Sequence, residues 1–103
     1  MTFTEIFSAL TATGISFRYE KWATKPTGTY GVYTLTPSEN FFADGEVYAA
    51  VETLTVRIYS KSRDFSAEQK IESVLQNYQK DSEYDNDEKK YVVTYQKEVI
   101  YNA

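Results

Sequence analysis

The chain has 103 residues, 42% hydrophobic and 25% charged, enough for one globular domain and too few for two. Its net charge of −4 argues against a nucleic-acid reader that neutralises phosphates, which needs a basic face. With no Cys and no His, disulfides and thiolate chemistry are excluded, and the usual general base and commonest metal ligand are missing.

The first segment, Thr2 to Thr13, reads as a helix. Thr2 and Glu5 have capping-box spacing, and Phe3, Ile6, Phe7 and Leu10 follow the i, i+3, i+4, i+7 pattern of one buried face. Gly14 stands where a left-handed C-terminal cap belongs. The opening residues carry neither a basic region nor a long apolar run, so no signal peptide is expected. No stretch approaches the roughly 20 apolar residues of a membrane span.

Ile15, Phe17 and Tyr19 alternate with Ser16, Arg18 and Glu20, giving a first strand. Lys21 to Gly28 is a polar turn containing Pro26 and Gly28. A second strand runs from about Thr29 to Thr36, with Tyr30, Val32 and Thr34 opposite Tyr33 and Leu35, and Pro37 ends it. The longest strand is Glu46 to Ser60. Leu54, Val56 and Ile58 point one way there, against Thr53, Thr55, Arg57 and Tyr59. Val47, Ala49 and Val51 put apolar weight on the other phase, which predicts a bulge near Glu52. These three strands read as an antiparallel meander.

Between the second and third strands lies Asn40-Phe41-Phe42-Ala43-Asp44-Gly45, with two adjacent large aromatics in a loop. Either one Phe folds back onto the sheet, or at least one anchors a neighbouring subunit as an aromatic hot spot. A second helix follows Asp64. Ser66 and Gln69 form a weaker capping box, Ile71, Val74, Leu75 and Tyr78 an apolar stripe, and Glu68, Lys70 and Glu72 a solvated face. The closing hairpin has a short strand near Ser82 to Asp85 and a turn around Asn86 to Lys89. Its long strand, Lys90 to Tyr101, has Tyr91, Val93, Tyr95, Val99 and Tyr101 on one face. The expected architecture is therefore a single α+β domain over residues 1–103: an N-terminal helix, an antiparallel sheet of about five strands, and a second helix packed on it.

Chemistry is sparse. Asp81, Glu83, Asp85 and Asp87 fall at positions one, three, five and seven of a calcium loop. The sixth position is Asn86 in place of Gly, however, and the twelfth is Val92 in place of a bidentate Glu. A solvated acidic turn, or an acidic lining of an assembly, fits better. In a strand Asp81, Glu83 and Asp85 would share one face and concentrate negative potential there. Lys25 to Thr29 lacks the spaced glycines and Lys-Ser/Thr pair of a phosphate loop. No catalytic, cofactor-binding or metal-binding residue is assigned, and the expectation is a protein that is not an enzyme. The ten Tyr, six Phe and one Trp fit both strand formation and partly buried interfaces.

In order and texture the chain resembles the small head–tail connector and tail-terminator (tail-completion) proteins of siphophages and prophages of Gram-positive bacteria. The matching features are the helix ending at Thr13-Gly14, the strand Tyr30 to Thr34, and Asn40 to Asp44 with Val47-Tyr48. Leu54 to Lys61, the acidic second helix and the closing Tyr91 to Val99 strand complete them. The loop Lys25 to Gly31 departs from the pattern, being more polar. The resemblance implies a tail-terminator-like subunit of a hexameric ring at the virion neck, assembled in the host cytoplasm. That ring would end the tail tube, meet the head-completion or connector proteins, and let DNA pass without specific binding. Phe41, Phe42, Asp44, Tyr48 and Tyr59 would then lie at the subunit or partner interface. Asp81, Glu83, Asp85 and Asp87 would form an acidic lumen that repels DNA. The alternative from another class is a small acidic phage inhibitor or DNA mimic binding a host protein.

Overall fold

A computed structural model describes residues 3–37 and 50–101. Two helices, α1 (Phe3–Thr11) and α2 (Phe65–Val74), accompany five strands. The strands are β1 (Ser16–Tyr19), β2 (Tyr30–Pro37), β3 (Ala50–Ser60), β4 (Gln79–Asp85) and β5 (Lys90–Tyr101). They form one mixed sheet in the order β1-β2-β3-β5-β4. The architecture is α+β.

Strand β3 sits at the centre because it offers one uninterrupted apolar row. Leu54, Val56 and Ile58 are all but fully buried, and their cross-strand partners include Leu35, Tyr33, Tyr95 and Val93. Both helices cover this face: Ile6 and Leu10 of α1, and Ile71 of α2 with Leu75 just beyond it, close one core with Phe17 and Val99. Phe7, placed on the buried stripe by its spacing, is 45% exposed and touches Tyr33 only at the core's border. Gly14 takes the left-handed conformation (φ 80°), and its N–H donates to Thr11 O at 3.0 Å, capping α1 as its position foretold.

The meander expectation fails at its first pair. β1 and β2 are parallel, with Phe17 opposite Gly31 and Tyr19 opposite Tyr33. Glu20 breaks the strand by entering the left-handed region (φ 67°), and the Lys21 N–H folds back onto Tyr19 O. Residues 21–29 then return the chain so that β2 starts beside the start of β1, and the Trp22 Nε1–H secures the return on Gly31 O at 2.9 Å. The remaining pairs are antiparallel, as expected.

The bulge near Glu52 is also absent. β3 pairs residue for residue with β5 from Ala50 to Ser60, and with β2 from Glu52 to Tyr59. The second sheet face already accepts apolar side chains, including the half-buried Val32 and the buried Val92, so apolar residues of the other phase require no flip. Thr2, and residues 38–49 with Val47 and Ala49, lie outside the described residues.

Helix α2 is capped two residues earlier than its sequence suggested. Asp64, not Ser66, is the N-cap, and its Oδ1 accepts from the Ala67 N–H at 3.0 Å. The expected solvated face is corrected too: Glu68 is only 3% exposed. Arg63 grips it with two hydrogen bonds at 2.8 and 2.9 Å, and Lys80 of β4 reaches it at 2.9 Å. Charge pairing brought inward by β4 outweighs the preference of a lone glutamate for water.

Candidate subunit interface

Among the described residues both helices lie on one face of the sheet, leaving its other face and the outer edges of β1 and β4 uncovered by them. The open face carries Arg18 from β1, Tyr30 and Val32 from β2, Arg57 and Tyr59 from β3, Val92 and Thr94 from β5, and Asp81 and Glu83 from β4. Alternation along the paired strands sets this arrangement.

Of the residues that sequence reasoning placed at an interface, Phe41, Phe42, Asp44 and Tyr48 lie outside the described residues. Tyr59 is described, half-buried and engaged within its own subunit. Its ring stacks on Tyr30 with centroids 5.1 Å apart and planes 11° apart, and burial pushes its hydroxyl pKa up. Trp22 meets Tyr30 edge-on, and the Lys90 ammonium lies 4.6 Å from the Tyr30 ring centroid. The returning segment 21–29 therefore straps one end of the open face, and Lys25 pairs with Glu88 in the β4–β5 turn to hold it there. The sequence reading missed this strap; a lone Trp within an otherwise polar turn is the signal that could have disclosed it.

The acidic residues divide. Asp81, Glu83 and Asp85 share the open face of β4, opposite Thr94, Val92 and Lys90. Asp87 sits in the turn, where its N–H and that of Glu88 both donate to Asp85 Oδ1. The row does not stand in a purely acidic field: a shallow groove sets Asp81 and Glu83 beside Arg57, with Gln79, Thr94 and Gln96. No family model, curated protein or solved structure matches the chain.

The two outer strands are unlike. β4 is exposed along nearly its whole length and adds Tyr84, 46% exposed, on the helix-covered side, where it meets Tyr91 edge-on at 5.0 Å. β1, only four residues long, carries the exposed Arg18 on the open side and Tyr19, 37% exposed, on the helix side. Arg18 lies 5.2 Å from the centroid of the Trp22 ring, which holds its guanidinium at the strand's flank. Arg18 escaped notice in the sequence because one arginine in a short strand looks like ordinary solvated charge.

Proposed function

We propose that this chain is a structural subunit that closes into a ring at the head–tail joint of a siphophage, ending the tail tube and meeting the head connector. The observation that carries the reading is a sheet whose two outer strands, β1 and β4, each pair on one side only among the described residues. Partly exposed tyrosines flank each end, Tyr19 at β1 and Tyr84 with Tyr91 at β4. Two unlike edges on one subunit suit a head-to-tail contact that a rotation closes. Tyrosine suits such borders because its ring is apolar and its tip tolerates water. The resemblance in segment order and texture to tail-terminator proteins suggests the biological setting. The ring would be hexameric and sit in the virion neck, with the Asp81, Glu83 and Asp85 row facing passing DNA.

The test is assembly itself. Negative-stain images of the purified protein, alone and with tail tubes, should show rings or capped tubes. Replacing Phe41 and Phe42 by Ser should leave a folded subunit that yields no joined particles. A chain that stays single in both settings would sink the proposal.

One observation favours the second reading, an acidic mimic that occupies a host nucleic-acid-binding protein. Alternate residues of β4 place Asp81, Glu83 and Asp85 about 6.8 Å apart, a repeat close to that of successive phosphates. Capture of such a host protein, reversed by added DNA, would favour the mimic over the ring.

A further inference from the structure

We infer that neighbouring copies meet through β4 of one and β1 of the next, with Arg18 set against Asp81 and Glu83. This contact rests on the ring reading and names the surfaces that would form it. Following the sheet, β2 runs with β1, β3 against it, β5 with it and β4 against it. A copy rotated about an axis along the strands therefore presents its β1 antiparallel to β4, the more favourable pairing sense.

The faces match in that arrangement. Arg18 and the carboxylates of Asp81 and Glu83 all lie on the open face, while Tyr19 and Tyr84 both lie on the helix face. Cation then meets carboxylate on one side, and tyrosine meets tyrosine on the other. The two-fold alternatives fare worse. A β4–β4 contact sets acid row against acid row, and a β1–β1 contact sets Arg18 against Arg18. Charge thus selects the head-to-tail contact and rejects the pairings that would end in a closed dimer.

β4 also carries the charges by which an edge strand resists stray pairing, and Asp81 Oδ1 holds the Ser82 N–H at 2.8 Å. A passing strand finds charge and an occupied donor; a copy bringing Arg18 finds counterions for it, and Arg18 drawing Asp81 away would free the Ser82 donor for pairing. With only the four residues of β1 to engage, each contact is weak alone and gains from closure of the ring or from a tail-tube template.

Charge reversal tests this directly. One variant carries Asp81→Arg with Glu83→Arg, another Arg18→Glu; all three positions are exposed, and circular dichroism checks that each variant folds. Sedimentation velocity, with tail tubes added if the unaltered chain needs them, should show at least tenfold weaker association for each variant alone. An equal mixture of the two should recover assembly, because each acid-to-base edge then finds an Arg18→Glu edge. Unweakened assembly by either variant, or failure of the mixture, overturns this contact and leaves the ring reading standing. An unaltered chain that never assembles overturns both.

Discussion

The Tyr95 hydroxyl donates to Glu72 Oε2 at 2.8 Å, joining the fully buried middle of β5 to the half-buried Glu72 on the sheet-facing side of α2. Around that bond Tyr78 packs edge-on against the Tyr95 ring, and Lys80 adds a 2.7 Å ion pair to the same carboxylate oxygen. Burial pushes the Tyr95 hydroxyl pKa far up, so it remains a donor across the accessible pH range. Tyr95→Phe keeps the ring and removes only the donor. It should cost about 1.5 kcal/mol, the low end for a hydrogen bond to a charged group, because Lys80 still satisfies Glu72. Urea denaturation checks this, and a Glu72→Gln double-mutant cycle should show coupling between the two sites.

Acid should unfasten α2 from the sheet. The hydrogen bond from Arg63 holds the Glu68 carboxyl below its ordinary 4.5, and that from Lys80 does the same for Glu72. Both groups bind protons less readily folded than unfolded, so their contribution is whole above about pH 4.5 and fades as pH falls through their depressed values. Unfolding free energy should therefore drop steeply below about pH 4.5. Glu68→Gln should flatten that drop and lower stability at pH 7 by about 1–3 kcal/mol. The lower range applies because Arg63 and Lys80, about a third exposed, can turn to water.

Asp64 carries two duties with one carboxylate. Oδ1 caps α2 through the Ala67 N–H, and Oδ2 accepts from Thr29 Oγ1 at 2.8 Å, tying the helix start to the end of the 21–29 strap. The Ala67 bond is the larger reason its pKa lies below the usual aspartate range. Asp64→Ala should cost about 1–2 kcal/mol, and Asp64→Asn much less, since an amide oxygen still caps. Thr29→Val in each background, followed by thermal denaturation, should lose its effect once Asp64 is Ala.

What the sequence disclosed and hid has a common cause. Leu54, Val56 and Ile58 were legible because a strand's period writes its buried face directly into alternate letters. Gly14 was legible because few other residues accept its backbone conformation. The parallel β1–β2 pair was hidden, since it turns on Glu20 adopting a positive φ that nothing in the local sequence demands. Glu68 was hidden for a different reason: on α2 it has the spacing of a solvated residue, and only Arg63 and a lysine from the next strand bring it inside. Of the candidate interface, the single-face row Asp81, Glu83 and Asp85 could be read from alternation. The opposing Arg18 edge could not, because it acquires meaning only once the strand order is known.

That strand order makes Gly31 a sensitive position. Phe17 lies directly opposite it across the parallel pair, and a Cβ placed at Gly31 would run into the Phe17 ring. The backbone of Gly31 is not left-handed, so a change to Ala meets no conformational penalty, and strand propensity favours it slightly. Steric conflict should win nonetheless, because Phe17 is 7% exposed and is hemmed in by Tyr33. Gly31→Ala should destabilise by about 1–3 kcal/mol, the range for overpacking a filled core. Phe17→Leu alone should also destabilise, by leaving space above Gly31. Combined, the two changes should cost less than their sum, since the added methyl fills part of what the smaller side chain vacates. Chemical denaturation of the four members of this cycle decides the matter. Simple additivity would mean that the ring and the glycine are not packed against each other, and that β1 does not lie where the parallel register puts it.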